Sequence, residues 1–133
     1  MNKYKKTWII DDDSVFVFGL KRLMGFVNFS DNTEVYKDGF EAINQLQLIA
    51  KYAPDDLPDV ILLDIKMPVW DGWEFITHFE NIDCKKTIEL YVVSSSLKSE
   101  DKSRAESLDI VSKFFTKPIT TDELRKMMNV ELV

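Results

Sequence analysis

The stretch Pro58–Gly72, PDVILLDIKMPVWDG, decides the fold of this 133-residue chain. It contains the unbroken apolar run Val60–Leu63, which is too short for a typical helix and suits a strand buried on both faces of a parallel sheet. The run ends at Asp64, and the Pro and Gly that follow require an irregular turn before the next helix. Because open α/β sheets place their sites at the carboxyl ends of strands, Asp64 is a candidate functional carboxylate. Taken alone, it fits a simple loop cap equally well.

Strand and helix patterns alternate outward from this stretch in both directions. Strands are predicted at residues 6–10, 33–36, 60–63, 90–93 and 113–116. A helical spacing of apolar residues follows each strand, and the fourth helix, roughly residues 99–108, offers few apolar side chains to bury. The segment 28–32 is predicted as a loop, and Thr120 with Glu123 is spaced as a capping box for the last helix. Five alternations predict a parallel sheet with helices on both faces.

Composition narrows the class of protein. The chain has 45% hydrophobic and 30% charged residues, as ordinary soluble domains do, and no apolar run approaches the ~18 residues of a membrane span. Its net charge of −6 argues against a nucleic-acid partner, because such affinity rests on Lys and Arg. The single cysteine, Cys84, excludes an internal disulfide, and no signal peptide is expected because acidic residues follow the first apolar piece directly. We therefore expect one cytoplasmic domain whose partners are proteins and small ions.

Four strands of the predicted sheet end in polar residues: Asp11-Asp12, Asp64, Ser94-Ser95 and Lys117. Because a parallel sheet brings the carboxyl ends of its strands to one edge, these residues are expected to converge. Carboxylates held close together repel one another, and a hard divalent cation such as Mg²⁺ relieves that repulsion. Such a cation also neutralises a phosphoryl group, which a carboxylate accepts as an acyl phosphate. Lys117 and a serine hydroxyl are then placed to stabilise the phosphoryl oxygens.

These motifs resemble the receiver domain of two-component response regulators. The resemblance rests on Asp11-Asp12 after an apolar strand, Asp64 before M-P-x-x-D-G, a hydroxyl after the fourth strand, and Lys117-Pro118. The motifs occur in that order and span Thr7 to about Met128. The resemblance implies a single receiver domain over residues 1–133 with a core at about 6–128. It also implies an α/β, flavodoxin-like fold: a doubly wound, five-stranded parallel sheet of order 2-1-3-4-5 with helices on both faces.

The resemblance implies a role for each site residue. Asp64 is the expected acceptor of a phosphoryl group from a phosphohistidine. Asp12, Asp64 and the backbone carbonyl of Lys66 are the expected direct ligands of Mg²⁺, for which Mn²⁺ is an expected substitute. Asp11 is expected to hold a metal-bound water. Lys117 is expected to contact the phosphoryl group, and the Lys117–Pro118 bond is expected to be cis.

The switch residues leave one choice open. Ser94 directly follows the apolar run and is the predicted switch hydroxyl, whereas counting back from Lys117 favours Ser95. Phe114, three residues before Lys117, takes the place of the switch aromatic, where tyrosine is commoner. A phenylalanine has no hydroxyl, so the switch is expected to act by ring packing alone. The Lys66 side chain adds a mobile cation that attracts phosphoryl oxygens or competes with Mg²⁺.

Other aromatic residues near these motifs receive simpler assignments. Phe16, Phe18 and Phe26 are assigned to core or helix contacts, and Trp73 to packing. Trp70 is predicted to border the site. His78 is predicted to lie at the surface or boundary, with no second ligand near it in sequence.

The expected function is a phosphorylation-dependent signalling switch with no output domain in this chain. No enzymatic activity of the chain is expected beyond its own phosphoryl transfer and autodephosphorylation. The expected partners are a sensor histidine kinase or phosphotransfer protein and a downstream protein target, with no nucleic acid and no membrane, in a monomer or a weak phosphorylation-dependent dimer. The alternative is a pseudo-receiver, the same fold acting as a constitutive interaction module. A phosphatase of the haloacid dehalogenase type is disfavoured because it needs an aspartate where this chain has Lys66.

Overall fold

The computed structural model of the chain describes residues 2–129. Its five strands are β1 (Tyr4–Ile10), β2 (Ser30–Tyr36), β3 (Val60–Leu63), β4 (Glu89–Ser94) and β5 (Lys113–Thr116). Its five α-helices are α1 (Ser14–Phe26), α2 (Gly39–Tyr52), α3 (Gly72–Phe79), α4 (Ser99–Glu106) and α5 (Thr121–Met127), and a short 3₁₀ turn (Pro54–Asp56) precedes β3. Strand and helix alternate throughout, as the apolar patterns predict.

The strands form one parallel sheet in the order β2-β1-β3-β4-β5, which confirms the predicted fold. Strand β3 lies at the centre, and all four of its residues are buried. Because neither face of this strand is exposed to solvent, its apolar run does not alternate with polar residues.

The core consists of two apolar clusters, one on each face of the sheet. Helices α2, α3 and α4 pack on the face that carries Trp8 and Ile61. Helices α1 and α5 pack on the face that carries Ile9 and Leu62. Helix α4 contributes least to the core, because Ala105 is its one buried residue. The polar sequence of this helix therefore leaves it weakly held.

Three strands begin earlier than predicted, β4 by a single residue and the other two by more. Strand β1 starts at Tyr4, whose side chain is buried, and β2 starts at Ser30, inside the segment predicted as a loop. The residues Ser30 and Asn32 pair in parallel with Tyr4 and Lys6. Because β2 is an edge strand, its polar residues hydrogen-bond to β1 without an apolar pattern to reveal them.

The turn after β3 depends on a glycine with no room for a side chain. A Cβ atom at Gly72 would lie 2.6 Å from the Cα of Ile65 and 2.7 Å from the carbonyl oxygen of Asp64. The Gly72 N–H donates to the Ile65 carbonyl at 3.0 Å, so the start of α3 is held against the end of β3. Val69, within the same turn, has a φ of 66°, which is strained for a β-branched residue. The loop that carries Asp64 is therefore closely fixed.

Capping residues fix where the helices begin. Asp13, Asp38 and Asp71 each accept a hydrogen bond from a backbone N–H in the first turn of α1, α2 and α3. The predicted capping box of Thr120 and Glu123 is present at α5. Among residues 2–129, no helix is long and apolar enough to cross a membrane.

Asp59 ties the start of β3 to β1, and its replacement gives a test of the fold. Its carboxylate accepts hydrogen bonds from the backbone N–H groups of Lys5 (2.9 Å) and Lys6 (3.0 Å) and from the ammonium of Lys86 (2.8 Å). Partial burial opposes ionisation, but these donors outweigh it and lower the pKa of Asp59 below its ordinary value of 3.8. Asp59 therefore stabilises the fold above pH 3.8, and this contribution is lost as the pH falls through its lowered pKa.

We expect Asp59→Asn to lower the free energy of unfolding by about 1–2 kcal/mol at neutral pH, allowing for the partial exposure of the carboxylate. Urea unfolding at several pH values measures this, and the deficit should shrink as the pH falls below the ordinary carboxyl pKa. Asp56→Asn, an exposed residue of the neighbouring 3₁₀ turn, is the control. An equal loss in both variants, or a deficit that does not depend on pH, would contradict the assignment.

Candidate functional site

Three carboxylates meet at the carboxyl edge of the sheet. Asp11 and Asp12 follow β1, and Asp64 follows β3, the neighbouring strand. One carboxylate oxygen from each lies within 4.8 Å of the other two. Asp11 and Asp64 are buried, at 3% and 4% exposure, whereas Asp12 is exposed. The cluster thus has a dry side at Asp11 and Asp64 and an open side at Asp12.

Lys117 supplies the positive charge within this cluster. Its Nζ lies 2.8 Å from Asp11 Oδ2 and 3.3 Å from Asp64 Oδ2, and its side chain is 10% exposed. Its backbone N–H donates to the carbonyl of Ser94 at 2.9 Å, which fixes the end of β5 against the end of β4. The Lys117–Pro118 bond is cis, the form that the sequence resemblance implies. The carboxyl ends of β1, β3, β4 and β5, which are spread over more than a hundred residues of sequence, thus form one pocket.

Burial and charge act against each other in this pocket. Burial raises the pKa of Asp11 above its ordinary value, and the nearby Asp64 adds to the shift, although hydrogen bonds from Lys117 and the Asp13 backbone oppose it. Burial of the Lys117 ammonium alone lowers its pKa, but its contacts with Asp11 and Asp64 outweigh burial and raise the pKa. Lys117 is therefore fully charged at neutral pH. In the absence of another cation, it is the counter-ion that permits two carboxylates to be buried side by side.

The loop after Asp64 lines the open side of the cluster. The backbone N–H of Lys66 donates to Asp64 Oδ1 at 3.2 Å, and the Lys66 side chain is exposed. A cleft runs outward from this point, lined by Asp12, Ile65, Lys66, Met67, Pro68, Asp71, Trp73, Lys98 and Asp101. Of the three clustered carboxylates, Asp12 is the one that lines this cleft.

The two candidate switch serines lie in different surroundings. Ser94 is the last residue of β4 and is fully buried, whereas Ser95 is exposed. The sheet register places Ser94 opposite Thr116, the residue before Lys117. The Ser94 hydroxyl accepts a hydrogen bond from the Ser96 N–H at 3.2 Å. Placement therefore favours Ser94 over Ser95 as the hydroxyl beside the lysine.

Phe114 lies beneath the weakly held helix. Its side chain is 7% exposed and belongs to the core cluster that includes Ala105 of α4. The next residue, Phe115, faces the opposite cluster and packs on the side of α5. Alternation along β5 thus decides which of two adjacent phenylalanines touches the α4 side.

The tryptophan predictions are confirmed only in part. Trp73 packs against the core cluster that contains Trp8 and Ile61, as predicted, but it also lines the cleft. The guanidinium of Arg104 in α4 lies 4.3 Å from the centre of the Trp73 ring. Trp70, predicted to border the site, stacks on His78 with ring centroids 4.2 Å apart. The first turn of α3 projects Trp73 toward α4, and no spacing in the sequence reveals that contact. His78 is partly exposed, as predicted.

Phe16 is the site contact that sequence reasoning missed. The Lys117 Nζ lies 4.3 Å from the centre of the Phe16 ring, although the sequence assigns this residue to packing. Its position three residues after Asp13 gave no signal, because an aromatic residue in a first helical turn commonly packs on the core.

Fold and site together define a class: an α/β domain of the CheY-like flavodoxin type, with an acidic pocket and a buried lysine at the carboxyl edge of its sheet. Residues 7–129 match the response regulator receiver domain family, and the chain belongs to that family. It is a receiver domain of two-component systems, a signalling switch.

Known relatives agree with this membership. The crystal structure of a two-component response regulator from Cytophaga hutchinsonii aligns with a TM-score of 0.86 at 30% identity and covers 96% of each chain. The structure of the phosphorylated cyanobacterial phytochrome response regulator RcpA aligns with a TM-score of 0.73 at 25% identity, covering 94% of this chain and 89% of that one. The probable methanogenesis regulatory protein FilR2 of Methanothrix harundinacea is 25% identical over 89% of this chain and 75% of its own length. Of several matched transcriptional regulatory proteins, the chain spans only 25–44%.

Proposed function

We propose that this receiver domain is a phosphorylation-controlled switch whose phosphoryl acceptor is Asp64. One observation carries the proposal: a nearly buried carboxylate at the end of the central strand lies among two further carboxylates and 3.3 Å from a buried ammonium. A structural ion pair needs one acid for one base, whereas this pocket holds three acids for one lysine. The surplus negative charge suits a site that recruits a second cation together with a phosphoryl group.

In the proposed transfer, an Asp64 carboxylate oxygen attacks the phosphorus of a phosphohistidine on a sensor kinase or phosphotransfer protein. A P–O bond forms and the P–N bond breaks, and its electron pair stays on the imidazole, which takes up a proton. The Lys117 ammonium exchanges the Asp64 carboxylate for a phosphoryl oxygen, and the Ser94 hydroxyl donates to another. The domain promotes only its own phosphorylation and dephosphorylation.

The donor set at the pocket fits a hard divalent cation. Carboxylate oxygens within 4.8 Å of one another are the ligands that Mg²⁺ takes in proteins. We assign direct ligation of Mg²⁺, or of Mn²⁺, to Asp12, Asp64 and the backbone carbonyl of Lys66, with Asp11 bound through a water. When bound, the cation neutralises charge on the phosphoryl oxygens. The solved structure of the phosphorylated relative RcpA supports phosphoryl acceptance on this fold.

The proposed response passes through α4. Phosphorylation shifts an equilibrium only by its different interaction with two states, so the moving element must be weakly held in one of them. Helix α4 is held by the buried Ala105, by Arg104 over Trp73, and by its Asp101, which accepts a hydrogen bond from the Ser96 hydroxyl just outside the pocket. Movement of Ser94 toward the phosphoryl group, with repacking of Phe114, would change the face formed by α4, β5 and α5.

The surface around the pocket, which we call the rim, carries exposed apolar side chains that suit contact with a protein that donates the phosphoryl group. Val15, Val69 and Leu97 are 81%, 78% and 89% exposed. Val15 lies in the first turn of α1, which follows β1, and Val69 and Leu97 lie in the loops after β3 and β4. Large apolar side chains that stay exposed near the carboxyl ends of three strands are typical of a surface that another protein covers. We assign this rim to contact with the phosphodonor protein, while the downstream target contacts the α4 side.

The test is phosphorylation without a protein donor. Incubation with a small acyl phosphate and Mg²⁺, followed by intact mass measurement, should add one phosphoryl group, and a chelator should reduce the labelling rate at least about tenfold, because the three carboxylates then repel the incoming anion. Calcium ions, which suit a larger and less regular coordination shell, should restore less labelling than Mg²⁺. An unlabelled wild-type protein that still binds partners would instead favour a constitutive interaction module.

A further inference from the structure

The ring of Phe16 lies against the ammonium of Lys117. The distance from Nζ to the ring centre is 4.3 Å, within the range of a cation–π contact. The Phe16 N–H donates to the capping carboxylate of Asp13 at 3.1 Å, so the first turn of α1 sets the position of this residue. On the other side, Phe16 shares an apolar groove with Pro118 and Ile119, the residues that follow Lys117. Ring and ammonium are thus each fixed by the local backbone.

We propose that Phe16 is a positioning residue that holds the Lys117 ammonium at the phosphoryl site while its charged partners change. The inference deepens the proposed function and rests on it. Phe16 touches neither the acceptor oxygen nor the phosphoryl group and acts only through Lys117.

The need for such a residue follows from the contacts of Lys117. The ammonium has three N–H donors, and charged contacts to Asp11 and Asp64 account for two directions. When Asp64 becomes an acyl phosphate, its carboxylate charge moves outward onto the phosphoryl oxygens, and the contact at 3.3 Å must be exchanged. The shorter contact to Asp11, at 2.8 Å, then competes to draw the ammonium inward.

The Phe16 ring is the neighbour whose attraction stays the same before and after transfer. It is uncharged, belongs to a different element from either acid, and takes no part in the chemistry. A contact of this kind narrows the positions open to a flexible four-carbon side chain, which otherwise follows the nearest carboxylate. Lys117 is 10% exposed, so water screens this attraction little.

The competing explanation is that Phe16 only fills space between α1 and Pro118. Fluorination separates the two, because fluorine atoms withdraw electron density from the ring face while leaving its shape nearly unchanged. Mono-, di- and trifluorophenylalanine are therefore to be placed at position 16 alone in the full chain. Phe26, 74% exposed on the same helix, receives the same residues as the control.

The first measurement is a double-mutant cycle by urea unfolding in metal-free buffer. In the wild-type background, trifluorination at position 16 should destabilise the fold and raise the unfolding equilibrium constant about three- to tenfold. In the Lys117→Met background, the same fluorination should have no effect. Equal effects in both backgrounds mean packing alone and overturn the proposal.

The second measurement is the rate of labelling by a small acyl phosphate with Mg²⁺. It should fall stepwise with each added fluorine, about three- to tenfold in total, through the rate at saturating donor more than through the donor's apparent KM. Phe16→Trp should retain the rate and Phe16→Leu should lower it. A rate that does not follow the fluorine series, despite coupling in the unfolding cycle, overturns the positioning role. Failure of the wild-type protein to accept label refutes the proposed function itself, a result distinct from a flat series.

Discussion

Replacement of Asp64 with asparagine is expected to abolish phosphoryl incorporation, with a loss of at least about a hundredfold, because the amide that replaces the carboxylate is a poor nucleophile and forms no acyl phosphate. The substitution is nearly isosteric, and Lys117 keeps its contact with Asp11 at 2.8 Å, so the fold should be retained. Intact mass after incubation with an acyl phosphate and Mg²⁺ measures the loss.

Asp71→Asn is the matched control for this variant. Asp71 lines the same cleft and caps α3, where asparagine caps about as well as aspartate. The control should label at the wild-type rate. Persistent labelling of the Asp64 variant, or a label that maps to Asp71, would refute the assignment of the acceptor.

Loss of Lys117 is expected to have the largest effect on stability. In Lys117→Met, the carboxylates of Asp11 and Asp64 remain nearly buried, with side-chain exposures of 3% and 5%, and have no cation between them. Removing one partner of a buried ion pair commonly costs about 3–5 kcal/mol, and we expect a loss of about 3 kcal/mol in metal-free buffer, because Asp11 regains part of it by protonation. Urea unfolding measures this difference.

Magnesium should return part of the stability that this variant loses. An ion that binds the folded protein and not the unfolded chain stabilises it, and the variant presents three carboxylates without an internal cation. We therefore expect Mg²⁺ to stabilise Lys117→Met more than it stabilises the wild-type protein. Lys113→Met, exposed at the start of the same strand, serves as the control and should show neither effect. Equal stabilisation of both proteins by Mg²⁺ would contradict competition between Lys117 and the metal for one pocket.

The stability and labelling predictions separate two roles of the same charge. Without phosphate, Lys117 neutralises two buried acids; with phosphate, it is proposed to move to the phosphoryl group. This exchange gives the two states different electrostatics, which a switch requires.

Sequence patterns were sufficient for the order of the elements. The run Val60–Leu63 identified the central strand because full burial on both faces leaves a continuous apolar stretch. They predicted residues 33–36 of β2 but missed its start at Ser30, because the edge strand pairs its backbone with one neighbour and needs no apolar signature there.

Some residues of the candidate site were likewise predictable from the sequence, and one choice among them was not settled by it. The acids and the lysine were predictable because parallel strands end at one edge, so residues 11, 12, 64 and 117 had to meet. The sequence favoured Ser94 as the switch hydroxyl but left Ser95 open, because one residue of loop length before Lys117 changes the count. The strand register and the burial of Ser94 favour it by placement.

By itself, the sequence determined the parallel sheet, the acidic edge and the lysine that faces it, since strand periodicity and chain direction are local properties that dictate where strand ends lie. Only the tertiary structure decided that the Phe16 ring lies 4.3 Å from the Lys117 ammonium and that Trp73, not Trp70, lines the cleft. These contacts join separate elements, and their geometry depends on how the helices rotate against the sheet, which is set by the packing of the whole core.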